Sequence, residues 1–255
     1  MTNYAGRYAE LYDLFYADKP YADEARFVHD CFQKFGRRPT REILEIACGT
    51  GRHAFELEKF RYQITATDRS PDMIEVARQR AAEHDSKIVF AVSDMQYPEL
   101  PAKEYDAVIC LFDSIGYLKT DEALRDAFRD IWNRLRPDGL FVFEFWHAPP
   151  MLNQYSPMRL RKLETADREI VRTSTTTLDR KNRLASVDYT VDEHKNDGTS
   201  STFRETHTNR FFFVDEMEAL ISTANFEPVK FFAGFDQHEP ITEDTWHVVA
   251  VARKS

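Results

Sequence analysis

Residues 43–51, Ile-Leu-Glu-Ile-Ala-Cys-Gly-Thr-Gly, predict a buried strand that runs into a glycine turn. An apolar run without a polar face suits the middle of a parallel sheet that is covered on both sides. Gly49 and Gly51 let the backbone turn sharply and approach a ligand closely. If a helix begins at about Arg52, its free N–H groups and positive dipole end face the turn. We therefore expect a small anionic or carboxylate-bearing ligand there.

The glycine turn alone is ambiguous, because residues 49–54 also satisfy the G-x-G-x-x-A pattern of dinucleotide-binding proteins. A second predicted strand, residues 64–68, ends in Asp68. An acid at that tip can accept hydrogen bonds from the ribose hydroxyls of NAD and of S-adenosylmethionine alike. Asp68 therefore does not separate the two ligands.

A third predicted strand, residues 88–93, is followed directly by Asp94 and Met95. A side chain at this tip lies over the base of a nucleoside that is held at Asp68, so Asp94 can accept from an adenine amino group. With Glu45, three acids then converge on the crevice in which open α/β sheets place ligands. This arrangement favours an adenine nucleoside with a carboxylate-bearing tail.

On these residues the chain resembles the class I S-adenosylmethionine-dependent methyltransferases. The resemblance covers, in order, residues 44–51, 66–73, 93–95 and 135–140. It implies S-adenosyl-L-methionine as cofactor and S-adenosyl-L-homocysteine as product, with the methionine part at the glycine turn, the ribose at Asp68 and the adenine at Asp94 and Met95. The residues expected to bind the cofactor are Tyr8, Glu45, Ala47, Gly49, Thr50, Gly51, Arg52, Asp68, Arg69, Met73, Asp94, Met95, Leu111 and Phe112.

The composition of the chain argues against nucleic acid and membranes as binding partners. A formal charge of -9, from 43 acids against 34 bases, disfavours a general grip on a polyanion, so nucleic acid is not expected as substrate. The sequence has no long apolar run and no signal-peptide pattern, so we expect a cytoplasmic protein without a membrane partner. Three scattered cysteines predict neither disulfides nor a metal site.

Strands alternating with helices predict an α/β fold with a Rossmann-like, doubly wound, mostly parallel sheet of seven strands. Residues 22–35 and 121–135 show helical spacing, and residues 105–111 and 140–145 predict strands four and five. Residues 1–150 are interpreted as the cofactor-binding core with an N-terminal aromatic cap.

The character of the sequence changes after residue 150. Turn signals separate β-type runs at residues 170–178, 184–194 and 200–213, which predict an antiparallel meander of three strands. We interpret residues 160–213 as an inserted substrate lid. Residues 214–255 return to the core, with a helix at 215–224 and a closing hairpin of strands at 228–235 and 245–252.

The N-terminal segment carries Tyr4, Tyr8, Tyr12 and Phe15 at helical spacing. An aromatic stripe packed on the core explains this spacing as well as a functional one does. Similar Tyr-x-x-x-Tyr-Asp leaders occur in small-molecule methyltransferases. By that resemblance Tyr8 touches the cofactor and Tyr12 the substrate.

Residues 111–118, Leu-Phe-Asp-Ser-Ile-Gly-Tyr-Leu, follow strand four and narrow the family. With residues 8–13 and 144–147 they are similar to N-methyltransferases that dimethylate amino groups of nucleotide-linked deoxyaminosugars. Ser114 is expected to face the substrate. That family has a histidine, a candidate general base, where this chain has Tyr117, and a tyrosine is a poorer base at neutral pH. The departure implies either proton loss through water or a different substrate.

The tip of strand five and the meander supply further candidates. The expected catalytic residues are Tyr12, Tyr117 and His147. The expected substrate-binding residues are Tyr12, Ser114, Trp146, Tyr189, His207 and Arg210. Arg210 can hold a phosphate or carboxylate, and His207, beside Glu205, can steer substrate or accept a proton. Cross-strand pairing on a wet sheet is the alternative for these lid residues.

The favoured function is methyl transfer to nitrogen of a small polar metabolite, an amino-sugar nucleotide, by in-line displacement. An O-methyltransferase acting on a sugar, phosphate-type or small-acid oxygen is the nearest alternative. An NAD-dependent oxidoreductase and a non-catalytic cofactor-binding regulator are more remote ones. The sequence leaves open whether the protein is a monomer or a homodimer.

Overall fold

A computed structural model of the chain describes residues 4–96, 100 and 103–255. The elements run as follows: α1 Arg7–Phe15, α2 Tyr21–Phe35, β1 Glu42–Ile46, α3 Arg52–Glu58, β2 Gln63–Asp68, α4 Pro71–Glu83, β3 Val89–Val92, β4 Tyr105–Cys110, a 3₁₀ turn Ser114–Tyr117, α5 Asp121–Arg134, β5 Leu135–Trp146, α6 Ala148–Asn153, β6 Met158–Glu164, β7 Arg168–Asp179, β8 Leu184–Lys195, β9 Ser200–Arg210, α7 Val214–Thr223, β10 Phe226–Ala233 and β11 His247–Lys254.

The main sheet has seven strands in the order β10-β11-β5-β4-β1-β2-β3. β1 to β5 are parallel to one another, while β11 is antiparallel to both β5 and β10. The strand order reverses at β1, which lies between β2 and β4. Open α/β sheets bind ligands at such a switch point, at the carboxyl ends of the strands. The predicted mostly parallel sheet of seven strands is confirmed.

Two apolar layers hold this sheet. One contains Val28, Leu57 and Ile109, and the other contains Phe128, Phe143 and Ile221. Every residue of β4 is buried, which accounts for its nearly continuous apolar sequence. Ser70 begins α4 by accepting a hydrogen bond from the backbone of Met73, so the chain leaves β2 in a fixed direction.

A separate antiparallel sheet, β6-β7-β8-β9, follows β5 and α6. The prediction of three strands there was wrong, because β6 was missed. β6 is an edge strand whose residues are mostly exposed and whose sequence, Met-Arg-Leu-Arg-Lys-Leu-Glu, offers little apolar signal. It begins before the predicted lid range of residues 160–213.

The boundary after α5 also differs from the prediction. The helix ends at Arg134, one residue before the predicted end, and β5 begins at Leu135, five residues before the predicted strand of residues 140–145. Leu135 pairs with Tyr105 on β4, so tertiary pairing extends the strand through this segment. In the described part of the chain no helix combines the length and the apolar character needed to cross a membrane.

Helix α1 packs between the two sheets. Tyr8 and Phe15 lie in one apolar cluster with Ile170 and Val191 of the four-stranded sheet. The buried carboxylate of Glu193 on β8 accepts hydrogen bonds from the side chain of Arg7 at 2.8 Å. The N-terminal segment thereby fixes the smaller sheet over the carboxyl edge of the larger one.

Candidate functional site

A cavity of about 1020 Å³ opens at the carboxyl ends of β1 to β4. All residues predicted to bind the cofactor line it, except Tyr8 and Gly51. Three predicted substrate or catalytic residues, Tyr12, Ser114 and Tyr117, line it as well. The lining also includes residues that sequence analysis did not select: Tyr4, Tyr21, Cys48, His53, Ser93, Gln96 and Leu118. The structure therefore brings the strand tips, the glycine turn and the N-terminal segment around one space.

The glycine turn adopts the unusual backbone that its sequence predicts. Gly49 and Gly51 have φ of 55° and 77°, and Ala47 has φ of 55°. A Cβ on Gly51 would lie 2.7 Å from the ring of Phe90. Gly51 thus serves close packing behind the turn, while Gly49 and Thr50 form the cavity wall. A left-handed backbone at a residue with a side chain, as at Ala47, is typical of functional sites.

Asp68 joins the tips of β1 and β2. Its carboxylate accepts from the backbone N–H of Gly49 at 2.9 Å and from that of Ser70 at 2.8 Å. Burial raises the pKa of Asp68, and these two hydrogen bonds oppose the rise. Each carboxylate oxygen has a second lone pair for a ligand hydroxyl. The geometry is suitable for the ribose contact that the sequence predicts.

Glu45 is the most unusual group in the cavity. It is 2% exposed, and its Oε2 has no hydrogen-bond partner among the described residues. Burial, together with the nearby charge of Asp68, raises the pKa of Glu45 to about 8. An unpaired carboxylate in a closed site is costly, and a cationic ligand removes that cost. The ammonium or sulfonium of S-adenosyl-L-methionine therefore fits this donor set.

The N-terminal tyrosines divide between the cavity and the smaller sheet. Tyr12 faces the cavity, but Tyr8 packs against Phe15, Tyr189 and His207, with ring centroids 5.4 to 5.9 Å away. Tyr8, which was expected to contact the cofactor, thus does not line the cavity, because its ring is turned towards β8 and β9. The aromatic stripe therefore has two roles: Tyr4 and Tyr12 line the cavity, and Tyr8 and Phe15 pack in the apolar cluster beneath the smaller sheet.

Tyr117 links the cavity to the smaller sheet. Its Oη lies 2.7 Å from Tyr4 Oη and 2.7 Å from Nδ1 of His207 on β9. Nε2 of His207 lies 3.6 Å from Oε2 of Glu205. His207 is buried and does not itself line the cavity, and Tyr189 packs beside it with ring centroids 5.4 Å apart. The two predicted lid residues therefore stand behind Tyr117.

Three other predicted residues lie away from the cavity, and the structure does not support their expected roles. His147 is buried and its Nδ1 donates to the carbonyl of Thr245 at 2.9 Å. Trp146 packs in an apolar cluster that includes Trp246. The cause is β11, which pairs with β5 up to Trp146 and covers the strand tip.

Arg210 is the third of these residues. Its guanidinium is buried and forms ion pairs with Asp121 and Glu216, so it fastens β9 to α5 and α7. A phosphate or carboxylate of a substrate would have to replace these carboxylates. The sequence pattern correctly predicts that Arg210 lies on a strand, but it does not indicate the two carboxylates that pair with it.

A charged cluster beside the cavity was missed by sequence analysis. Nδ1 of His247 donates to Asp113 Oδ2 at 2.8 Å and lies 3.3 Å from Glu144 Oε1. Asp113 chiefly raises the pKa of His247, to about 11, and burial raises that of Asp113 to about 6. The ligand atoms of this trio lie within 4.8 Å of one another, which a metal ion could bridge. No short-range pattern joins His247 to residues so distant in the chain.

The cluster also holds an unusual backbone next to the cavity. Phe112 and Asp113 have φ of 58° and 56°, and the N–H of Phe112 donates to Glu144 Oε2 at 2.6 Å. Phe112 forms a wall shared with a second cavity of about 780 Å³, which Lys19 and His247 also line. The trio therefore fixes the ring that separates the two spaces.

Comparison with known proteins settles what kind of domain surrounds the first cavity. Residues 43–139 match the family described as a methyltransferase domain. The match includes the glycine turn, the tips of β1 to β4 and the first residues of β5, so the predicted methyltransferase is confirmed.

Relatives and solved structures extend the likeness beyond this methyltransferase domain. The chain is 26% identical to the putative methyltransferase YqeM of Bacillus subtilis (strain 168), over 91% of this chain and 90% of that protein. It is 34% identical to the dTDP-3-amino-3,4,6-trideoxy-alpha-D-glucopyranose N,N-dimethyltransferase of Streptomyces venezuelae, over 56% of this chain and 58% of that protein. The chain therefore spans little more than half of this sugar-modifying relative.

The fold is shared along the whole chain. A crystal structure of an S-adenosylmethionine-dependent methyltransferase from Clostridium acetobutylicum ATCC 824 superposes with a TM-score of 0.82 at 18% identity, covering 97% of each chain. At this identity the likeness establishes the architecture alone. It includes the four-stranded sheet, which lies outside the matched methyltransferase domain.

Proposed function

We propose that this protein transfers a methyl group from S-adenosyl-L-methionine to a nitrogen atom of an amino-sugar nucleotide, releasing S-adenosyl-L-homocysteine. The observation that carries the cofactor assignment is the buried carboxylate of Glu45. Its Oε2 has no hydrogen-bond partner among the described residues, and it lines a cavity that Asp68 and Asp94 also line. A cationic nucleoside satisfies all three acids together.

The cofactor supplies an activated methyl on a sulfonium, so the protein's task is chiefly orientation. Asp68 would hold the ribose, Asp94 and Met95 would border the adenine, and the N-terminus of α3 would face the methionine carboxylate. Tyr12, Ser114 and Tyr117 border the remaining space and orient the acceptor nitrogen in line with the methyl. Phe112 closes the site against water from the neighbouring cavity.

The acceptor class rests on relatives. The sugar relative from Streptomyces venezuelae and one from Streptomyces fradiae, 31% identical over 58% of this chain, are both named as dimethyltransferases of dTDP-linked amino sugars. We propose residues 160–213 as the lid that covers this acceptor, residues 1–150 as the cofactor-binding core and residues 214–255 as its closing part. The dinucleotide interpretation of residues 49–54 gains no support from the matched domain.

Calorimetric titration with S-adenosyl-L-methionine, S-adenosyl-L-homocysteine and NAD tests the cofactor. We expect the two sulfur nucleosides to bind and NAD not to bind. The acceptor is then tested with dTDP-3-amino-3,6-dideoxy-glucose and with glycine, following S-adenosyl-L-homocysteine release and the mass gain of each acceptor. Methylation of glycine alone would contradict the sugar assignment, and binding of NAD alone would contradict the whole proposal. Size-exclusion chromatography with light scattering would distinguish a monomer from a homodimer.

A further inference from the structure

A series of polar contacts, made of hydrogen bonds and one longer charge contact, leads from the cavity into the four-stranded sheet. Tyr117 borders the cavity, and its Oη lies 2.7 Å from Nδ1 of His207. Beyond it, Nε2 of His207 lies 3.6 Å from Glu205, whose other oxygen accepts from the backbone N–H of Tyr4. These groups are largely buried, so the path is shielded from bulk water.

Tyr117 cannot act as the base by itself. Burial raises the pKa of Tyr117 well above its ordinary value, and the neighbouring tyrosines Tyr189, Tyr8 and Tyr12 add to the rise. The phenol therefore stays neutral at physiological pH. A neutral phenol can accept a proton only while it gives up its own, and the Oη of Tyr117 lies 2.7 Å from an imidazole nitrogen that can take that proton.

We propose that the acceptor nitrogen loses its proton through Tyr117 Oη to Nδ1 of His207, with Glu205 as a positioning residue. This inference rests on the proposed function, because it requires an amine acceptor. The acceptor ammonium gives a proton to Tyr117 Oη as the original hydroxyl proton moves to Nδ1. The neutral amine then attacks the methyl carbon with its lone pair, and the C–S electron pair stays on sulfur. His207 becomes an imidazolium beside Glu205.

The path is assembled from three parts of the chain. Tyr117 belongs to the 3₁₀ turn after β4, His207 and Glu205 belong to β9, and Tyr4 precedes α1. Gly116 packs so closely on β9 that a Cβ there would lie 2.7 Å from the carbonyl oxygen of Arg210. Contact between the two sheets is therefore required for proton removal, which couples docking of the lid to chemistry.

Four tyrosines and one carboxylate surround the imidazole of His207. They are Tyr4, Tyr8, Tyr117 and Tyr189, with ring centroids 4.4 to 6.1 Å from the imidazole, and Glu205 on the same strand. The tyrosines are neutral at physiological pH, so Glu205 is the charge among these groups that favours the imidazolium.

The first test does not require an acceptor. Long-range ¹H–¹⁵N spectra of protein with labelled histidine, at about pH 8.5 where imidazole is neutral, report which nitrogen carries the proton. The proposal expects Nε2–H and an unprotonated Nδ1 that shifts in Tyr117→Phe. A proton on Nδ1 would overturn it, because that nitrogen could not then accept. The His207 signal is assigned by its loss in His207→Gln.

The second test measures turnover. Tyr117→Phe and His207→Gln should each lower kcat by about 10²-fold or more, with the dissociation constant of S-adenosyl-L-methionine unchanged within about twofold. Tyr117→His in the His207→Gln background should restore activity, since it places an imidazole directly at the cavity. The Tyr62–His29 pair has the same 2.7 Å contact outside the cavity, so Tyr62→Phe and His29→Gln are matched controls.

The outcomes separate the two proposals. If wild-type protein methylates none of the acceptors, the proposed function fails, and the tautomer of His207 still decides whether Nδ1 can accept. If wild-type protein is active and His207→Gln keeps its kcat and pH profile, the proposed function stands and the proton path is wrong. Loss of activity in Tyr62→Phe would also count against the proton path. The loss in Tyr117→Phe would then reflect the removal of any Tyr–His contact and not of this one in particular.

Discussion

The carboxylate of Asp68 accepts a hydrogen bond from the backbone of Gly49 at 2.9 Å, so the acid at the tip of β2 holds the glycine turn that follows β1. The same carboxylate faces the cavity. Asp68 therefore both holds the glycine turn in place and is available to the ligand. Its replacement should affect the stability of the protein as well as ligand binding.

Asp68→Ala should weaken binding of S-adenosyl-L-methionine by about tenfold to 100-fold for each lost charged hydrogen bond to the ribose. It should also lower the thermal unfolding temperature, because the N–H groups of Gly49 and Ser70 lose their partner. Calorimetry and thermal unfolding measure the two effects. Asp85→Asn, at an exposed site, serves as the control. Unchanged affinity in Asp68→Ala would exclude the ribose contact.

The pKa of Glu45, raised to about 8, predicts that cofactor binding releases a proton. Below that pH the free protein holds Glu45 largely protonated, and a cationic ligand requires the carboxylate. Affinity should therefore increase with pH up to about 8. Titrations at pH 7 in buffers of different ionisation enthalpy should show release of nearly one proton, which Glu45→Gln should abolish. Proton uptake on binding would contradict this assignment.

Glu45 also affects the stability of the cofactor-free protein. Its folded-state pKa lies above the unfolded value of 4.5, so the folded protein binds the extra proton. Its contribution to stability is present below the unfolded pKa and is lost as pH rises through about 8. Urea unfolding between pH 5 and about pH 9 should show a smaller loss of stability for Glu45→Gln than for wild type. An equal loss would mean that the group is ionised throughout.

Gly51→Ala should destabilise the protein by about 2–4 kcal/mol, from backbone strain at φ 77° and from the contact with Phe90. Gly198, with φ 87° and open space around it, is a matched control: Gly198→Ala should cost only about 1 kcal/mol. Urea unfolding measures both. Adding Phe90→Leu should recover part of the Gly51→Ala loss, whereas no recovery would show that the clash is not the cause.

His247→Gln should destabilise the protein by about 1–3 kcal/mol, because it removes the cation that pairs directly with the two buried acids Asp113 and Glu144. The figure is modest because the imidazole is 42% exposed to solvent. The folded-state pKa of His247, about 11, lies above the ordinary 6.5, so its stabilisation is complete below pH 6.5 and is lost towards pH 11. Urea unfolding across this range should show that loss in wild type only.

Removing one carboxylate checks the cause. Asp113→Asn combined with His247→Gln should be more stable than His247→Gln alone, since only Glu144 then remains charged. If the double variant is less stable than either single variant, repulsion between the two acids is not the main effect.

Local sequence was sufficient for the parts of the site that lie on consecutive elements. Glu45, Gly49 and Asp68 each lie in or directly after a strand that an apolar run identifies in the sequence. The carboxyl ends of parallel strands meet at one edge of the sheet, so these residues come together there. The edge strand β6 escaped detection because pairing with β7, rather than an apolar pattern, makes it a strand.

Contacts between distant segments required the tertiary structure. The sequence placed Arg210, His147 and Trp146 at strand ends, but the ion pairs of Arg210 and the cover that β11 gives to the tip of β5 depend on how whole elements pack. The same holds for Tyr117 with His207 and for Asp113 with His247. By itself the sequence determined the nucleotide-binding half of the site, because periodicity and turn chemistry act over a few residues. Only the tertiary structure decided which buried acids, imidazoles and phenols meet, because contacts such as Tyr117–His207 and Asp113–His247 join residues 90 and 134 positions apart.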